Sequence, residues 1–507
     1  MKNSIQYFTE KGIPELEKIK INFMETPAMF DKCVKEVLQV LLRFACCLIC
    51  EWLEECNTLL ECSAKRRGCW HVKDHARKSI LTPVGSITYT RTRFIHKETK
   101  ETAYLLDRIL GWEPHTRLSD GTKAGILEAA ARCSYEKAGE SACYGEDRVS
   151  RQTVMRQVRG MEVPPEGREE PSEKRKVKYL YVEADEDHIA LQYKEKKGDI
   201  KRYKGHADNG QIVKLVYVHE GYVESGAPQK RKELKNVVYF GGLYRGKDNE
   251  KLWREVKEYI ERQYETEYIE KIYFQSDGGG WMKKGIDILG AESVLDEFHI
   301  RKYIRKMIRL GGGATEEDRK KAEETLLEWI EKGNRKKLEE WVARAGAALM
   351  EKEGKKLAES WEYIKKNWKG VRRRVQKGEG VTGSSTESHI SHVLSARMSS
   401  RPMGWSREGA DRLSQIRIYW KNGKDMLKLV KLQKEEVAEE DHEEERYLSA
   451  SEILAWEKKT SKANGKYIEA VQAHMSSQIS GRLNFYNTIA NLCGYKRGGL
   501  SIVASPK

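Results

Sequence analysis

The chain has 507 residues, 39 % hydrophobic and 34 % charged, with 93 Lys+Arg against 78 Asp+Glu and a formal net charge of +15. That length excludes one ordinary domain and predicts two to four, while the composition suits a soluble protein with real cores. The positive balance favours a polyanionic partner, nucleic acid first.

The opening "MKNSIQYFTEKG" lacks the apolar core of a secretory signal. Residues 10–70 read as helical, with long apolar-polar periodicity and no proline after Pro27. Within them "VLQVLLRFACCLICEWL", 37–53, carries Gln39 and Arg43 and reads as a buried helix rather than a membrane span. A cytoplasmic location and no membrane partner are expected. Six of the 10 cysteines lie between Cys46 and Cys69 without a paired CxxC frame, so they read as small apolar packing residues, with a zinc site as the alternative.

Next, "ILTPVGSITYTRTRFIHKETKETAYLLD" predicts a basic β-hairpin over 81–107, in which Ile87 and Tyr89 alternate with threonines and Arg91 and Arg93 continue the face. Residues 122–160 predict three short helices of helix-turn-helix character. Ser150 caps the last, and Arg151, Gln152, Arg156 and Gln157 are candidates to face a DNA groove; a plain helical bundle is the other reading. Residues 1–160 thus form an N-terminal region, closed by the proline- and charge-rich linker "MEVPPEGREEPSEKRK", 161–176.

Beyond it the chain turns to β structure. "VKYLYVEADEDHIALQY", "IVKLVYVHEG", "NVVYFGGLY" and "KIYFQSD" read as four strands, with the helix "NEKLWREVKEYIERQYE" before the fourth and a short fifth strand in "ESVLDEFHI". Strands in succession, then alternating with helices, argue for a mixed sheet covered by helices. "GGG" at 311–313 opens a helical segment to about Trp368, anchored by Trp329, Trp341 and Trp361. A Gly/Ser loop follows, then helices to the end, interrupted by the acidic run "EEVAEEDHEEER", a solvated face or linker.

Two pieces of the β region match: "YLYVEAD", 179–185, and "KIYFQSD", 271–277, each run strand, polar residue, small residue, aspartate. On neighbouring strands Asp185 and Asp277 would emerge at comparable heights, where two carboxylates repel unless a cation sits between them. Mg²⁺ suits such oxygen donors, and a third carboxylate would complete a two-metal site for displacement at phosphorus. Glu387, where the loop "GSST" enters a helix before Arg397 and Arg401, is the choice for the third; an ordinary first-turn glutamate is the other reading. Glu183, Asp185 and Asp187 share one strand face by period two, so Asp187 is the alternative first acid. Gly278, Gly279 and Gly280 would let a sugar-phosphate backbone approach Asp277. Trp281 would stack on a base or head the next helix's core, and Lys283 or Lys284 would contact phosphate.

Together "YVEADEDHIALQ", "YFQSDGGGWMKKGI", "VLDEFHIRKYI" and "ESHISHVLSARMSSRPMGWS" closely resemble the bacterial insertion-sequence transposases of the ISLre type, from about residue 80 to about residue 420. The resemblance implies an RNase H-like DDE enzyme whose acids Asp185, Asp277 and Glu387 bind two Mg²⁺ ions, with Mn²⁺ as a substitute. It implies a mixed α/β RNase H-like core in two parts, 177–300 and 376–425, split by an all-helical insertion, 301–375. A helical/β-hairpin DNA-binding region precedes the core and a helical region, 426–507, follows it. "DEFH" matches a DxxH element of related transposases, giving Asp296 and His299 a supporting role at the site or a contact with the DNA strand; a satisfied core histidine is the other reading. Glycine commonly follows the third acid in that family, whereas Ser388 stands here. The function implied is cleavage at the element's terminal inverted repeats and transfer of the 3′-OH to target DNA, by a homodimer or larger assembly on double-stranded DNA. A nuclease without strand transfer and an inactive DNA-binding descendant are the alternatives.

Overall fold

In the computed structural model, the structure describes residues 2–167, 171–192, 202–203, 206–207, 209–224, 232–310, 315–401, 403–438, 447–448, 451–459, 461–462 and 465–466. The triple glycine 311–313, part of the predicted linker and most of the chain after 438, with most of the acidic run, lie outside the described residues. The chain forms two compact units: residues 1–123, 142–148 and 434–507, and residues 124–141 and 149–433.

The first unit is built on helices α1 (Ile13–Glu25) and α2 (Phe30–Cys62) and the strands β1 (Trp70–Thr82), β2 (Gly85–His96) and β3 (Thr102–Ala103). β1 and β2 pair antiparallel around a turn at Pro83–Val84, and β3 adds to β2. The hairpin therefore begins at Trp70, not at 81, and "YLLD" forms a short helix, α3 (Leu105–Ile109). The upstream strand hides from a pattern search because its first eight residues are largely exposed and polar; only its end is continuously buried. Cys46, Ile49, Cys50 and Leu53 of α2 pack on a core of Leu60, Trp70, Ile80, Ile87, Tyr89 and Phe94. The Sγ atoms of Cys46 and Cys50 lie 3.7 and 3.0 Å from the carbonyls of Val84 and Thr88, so this cysteine face serves packing. Among the described residues no helix is long and apolar enough to cross a membrane. The expected basic hairpin face is largely neutralised: Arg91 is buried against Asp107 with its guanidinium 3.6 Å from the Tyr104 ring centroid, and Arg93 pairs with Asp74.

The chain enters the second unit within α4 (Asp120–Arg132), followed by α5 (Tyr135–Glu140) and α6 (Arg151–Arg159). Ser150 caps α6 by accepting from the Thr153 N–H, as its sequence position suggests. Val154 and Val158 are buried, and Arg159 donates to Ser406 Oγ at 2.8 Å, so α6 belongs with the sheet-bearing unit rather than with the N-terminal region. The predicted linker is likewise held. Glu162 N–H donates to Gln433, Glu166 N–H to Glu255, and Arg175 pairs its backbone with Gln263 and Glu265.

The central sheet contains β4 (Tyr179–Ala190), β5 (Gly210–His219), β6 (Val238–Gly242), β7 (Lys271–Ser276) and β8 (Glu292–Leu295), in spatial order β6-β5-β4-β7-β8. β4, β5 and β6 form an antiparallel meander, and β7 and β8 add parallel to β4. Along β4 the even positions Leu180, Val182 and Ala184 face helices α7 (Asn249–Gln263) and α8 (Gly280–Leu289), in a core with Phe274, Trp253, Val256 and Met282. Gly285 permits that approach, since a Cβ there would stand 2.5 Å from the Trp253 ring. The odd positions, Glu183, Asp185 and Asp187, face the other side.

After β8 the described residues form the helices α9 (Glu297–Arg309), α10 (Glu316–Glu331), α11 (Arg335–Ala347), α12 (Glu351–Lys366) and α13 (Trp368–Gln376). They have their own core, of Ile300, Ile304, Leu326, Ile330, Leu338, Trp361 and Val371, against which Trp329 and Trp341 pack. The short α14 (Thr386–Ile390) continues into a π-helical turn, Ser391–Ser395, and α15 (Arg407–Lys421) and α16 (Met426–Ala438) follow.

Trp253 is fully buried, with ring centroids 5.3 and 5.4 Å from Phe274 and Trp281. Trp253→Ala is expected to cost about 3–5 kcal/mol through lost transfer energy and a cavity, read as a lower urea midpoint in tryptophan-independent far-UV circular dichroism.

Candidate active site

β4 and β7 pair in parallel with constant offset, Lys271 opposite Tyr179 through Gln275 opposite Glu183. Carried on two residues, that register sets Asp277 abreast of Asp185. β8 continues the row: Ser276 lies opposite Leu295, and the next residue, Asp296, donates its N–H to the Ser276 carbonyl at 2.9 Å. Three aspartates thus stand in one row where the parallel part of the sheet ends. β4 alone runs on past that row, along its partner β5.

Each acid is fixed locally. Asp185 Oδ1 accepts from the Glu186 N–H at 2.8 Å, and Asp277 Oδ1 accepts from the Gly279 N–H at 2.9 Å. Glu387 lies exposed in the first turn of α14, which packs on β4. Burial pushes the Asp185 carboxyl up to about 6, and the charges of Asp277 and Glu387 add to it, whereas His299 opposes the rise. Asp185 therefore senses both other acids of the predicted triad. None of the three is ion-paired to a lysine or arginine among the described residues. Asp187 does not share this environment. It is buried, its Oδ1 accepts from Ser399 Oγ at 2.9 Å, and its Oδ2 has no partner.

Asp296 and His299 form a pair, Nδ1 to Oδ2 at 3.1 Å. The hydrogen bond to Asp296, helped by the charges of Asp296 and Asp277, raises the His299 pKa against burial. Burial pushes Asp296 up, but the His299 contact outweighs it and leaves the carboxyl below its usual value. The protonated form of this imidazole, beside the row of acids, is thereby favoured.

The glycines after Asp277 serve two ends. Gly278 has φ +86°, and a Cβ would meet the Asn367 side chain at 2.7 Å; the Asp277 carbonyl accepts from Tyr363 Oη. Helix α12 and the residue after it thus occupy the space left bare there, while Gly280 remains open. Trp281 is committed to the fold, stacked on Trp253 and donating Nε1–H to Glu186 at 2.9 Å, so it does not present a free base-stacking face. Arg397 is also withdrawn: it is buried, donates to the Ala130 carbonyl at 2.9 Å and lies over Trp405. Arg401, Lys283, Lys284, Arg151, Gln152 and Arg156 are exposed, and Gln157 is half-buried.

The loop that delivers Glu387 is stitched to the sheet. Tyr273 and Tyr181 hydroxyls donate to the carbonyls of Glu379 and Gly380 at 2.7 and 2.8 Å, and Tyr222 donates to Gly383 at 2.9 Å. Arg374, buried, bonds Leu295, Gln275 and the Thr382 carbonyl. No sequence pattern links these residues, because the partners lie far apart in the chain. Asp185 is half-buried and feels the charges of Asp277 and Glu387, and carboxylate oxygens are the donor type that suits a hard divalent cation. As the side chains stand, no group of three or more His, Cys, Asp or Glu among the described residues is gathered to hold an ion.

The chain belongs to UPF0236, an uncharacterised protein family that it matches over residues 24–436, a span containing all three acids. Similar members include proteins of Caldanaerobacter subterraneus subsp. tengcongensis, one 36 % identical over 379 residues, 74 % of each chain. A second is 37 % identical, covering 74 % of this chain and 70 % of the relative. A Streptococcus gallolyticus UPF0236 protein encoded in the vanSb 3′ region is 25 % identical over 371 residues, 70 % of this chain and 75 % of the other. Among solved structures, the Drosophila P element transposase strand transfer complex aligns at 12 % identity and TM-score 0.30, covering 64 % of this chain and 96 % of that one.

An acid whose folded pKa lies above its unfolded value destabilises the fold where it is ionised, and that penalty vanishes below the unfolded pKa. With Asp185 raised from 3.8 to about 6, Asp185→Asn in metal-free buffer should be more stable than wild type at pH 7.5, by roughly 3 kcal/mol at most. The difference should shrink steadily between pH 7 and pH 4 in denaturant titrations; a pH-independent difference contradicts the charge assignment.

Proposed function

We propose that the protein is a DNA transposase of a bacterial insertion sequence, of the ISLre type, with Asp185, Asp277 and Glu387 as its metal-binding acids. The observation that carries this reading is the placement of Asp185 and Asp277 abreast on adjacent parallel strands, with Asp185 sensing the charge of Glu387 from a third element. A three-strand meander extended by two parallel strands, with the first acid on the central strand, supports an RNase H-like core.

Two Mg²⁺ ions, or Mn²⁺ in their place, would supply Lewis acidity and an activated water for in-line displacement at phosphorus. The protein's own residues prepare the site. Backbone N–H groups orient one oxygen each of Asp185 and Asp277, leaving the second oxygens for a ligand. Exposed Glu387 acts on Asp185 through its charge, and a shared ion would draw its side chain toward that acid. The His299 imidazole, hydrogen-bonded to Asp296 and sensing the charge of Asp277, stands beside the position that a phosphate would take. Lys283, Lys284 and Arg401 are exposed cations available to flanking phosphates, and α6 offers Arg151, Gln152 and Arg156 to a groove. The substrate is double-stranded DNA bearing the element's inverted repeats. Paired cleavage of two ends calls for a dimer or larger assembly, acting in the bacterial cytoplasm.

With end-bearing DNA and Mg²⁺, Asp185→Asn, Asp277→Asn and Glu387→Gln should each lose nicking by more than about a hundredfold, exceeding the usual 10–100-fold effect of an outer-shell change. DNA binding in gel shifts should persist. Undiminished nicking by Asp277→Asn removes that residue from the chemistry. Precut ends that never join a target plasmid reduce the activity to hydrolysis.

A further inference from the structure

Two residues before Asp185 on the same strand face lies a carboxylate with no exposed surface, Glu183. Its oxygens collect donors from two separate segments, β5 and the loop before α14. Oε2 accepts from Tyr217 Oη at 2.8 Å, from Ser384 Oγ at 3.0 Å and from the Ser385 N–H at 2.9 Å. Oε1 faces His219 Nε2 at 3.1 Å and Ser385 Oγ at 3.4 Å. The other ring nitrogen of His219, Nδ1, lies 3.1 Å from the Gly221 N and 3.3 Å from its carbonyl. No lysine or arginine pairs with Glu183 among the described residues, and His219 is the basic group that meets it.

This arrangement is costly as pure scaffolding, since a buried carboxylate is stable only while its donors stay in place. Three of those donors belong to Ser384 and Ser385, the residues leading into α14, which carries Glu387. Tyr217 serves both ends of the same helix. Its hydroxyl binds Glu183, and its ring stacks on His389 of α14 at 4.7 Å, while Tyr239 Oη meets His389 Nδ1 at 2.7 Å. Glu183 and Asp185 share one strand, so a loop fixed to the first is fixed relative to the second.

We propose that Glu183 is a positioning residue that clamps the entry of the Glu387-bearing helix to the strand bearing Asp185, setting the distance over which the two acids share a cation. The proposal rests on the metal-site reading above, and the following measurements separate the two. In the full-length protein, Glu183→Gln keeps the side chain's shape but turns one acceptor into a donor facing other donors. Hydrogen–deuterium exchange should show amides of residues 383–389 exchanging about tenfold faster, with β7 and β8 unchanged. Mn²⁺ affinity by calorimetry should fall about 10–100-fold, and that fall should disappear in a Glu387→Gln background. Ser384→Ala, which leaves the acid its other donors, should shift both readouts the same way by less, and it serves if Glu183→Gln fails to fold. Unchanged exchange and unchanged Mn²⁺ affinity overturn the proposal while the metal site stands. An equal loss of affinity with and without Glu387 overturns it too, by showing general damage. If wild type takes up no Mn²⁺, the metal-site reading fails, and exchange alone decides whether Glu183 holds the loop.

Discussion

Parallel pairing of β4 with β7, residue against residue without a bulge, is the constraint on which the site depends. In adjacent strands about 4.8 Å apart, residues of one row project on the same face, so the register that buries Phe274 beside Val182 also brings Asp277 level with Asp185. A slip of one residue would turn one aspartate into the apolar core with Leu180, Val182 and Ala184. Core packing therefore fixes the acids' height indirectly: the hydrophobic face selects the register, and the register places the charges.

That placement opposes stability. Asp185 is half-buried, and burial first, then the like charges of Asp277 and Glu387, raise its pKa. A fold selected for stability alone would supply a lysine or arginine, as it does elsewhere in the chain, where Asp107 is met by both Lys78 and Arg91. At the row of acids no lysine or arginine pairs with Asp185 or Asp277 among the described residues, and the basic group beside them, His299, is itself tied to Asp296. Uncompensated charge held in place by surrounding packing is the pattern of sites that bind cations or do chemistry.

How much of this was legible follows from the range of the interactions. The five strands of the sheet and the level pair Asp185 and Asp277 could be read directly, because alternation and the repeated strand–polar–small–aspartate pattern are local. Ser150 as a cap was legible for the same reason. The strand from Trp70 was not, since its exposed first half carries polar residues on both faces. Nor was the withdrawal of Arg397 and Trp281, whose partners Ala130, Trp405, Trp253 and Glu186 come from distant segments. The linker looked free by composition, yet backbone pairing such as that of Arg175 with Gln263 and Glu265 depends little on side-chain type. Period two could place Glu183 beside Asp185, but its donors arrive from β5 and from the 384–385 loop, which sequence spacing does not encode.

The helices between β8 and the Glu387 loop take part in the same construction. Leu295, at the end of β8, belongs to the core that α9, α12 and α13 share with Ile300, Ile364 and Val371. From that core Tyr363 reaches the Asp277 carbonyl, and Asn367 fills the space beside Gly278. Arg374 ties the end of the helical set to Leu295 and to Thr382 at the start of the loop. The insertion thus braces the second acid from one side and hands the chain on toward the third from the other. Its packing bears on the site through rigid geometry, with no side chain of its own helices α10 and α11 needed among the acids. A long excursion between the second and third acids is then compatible with a precise site, because its two ends are bonded to the strand ends between which it departs and returns.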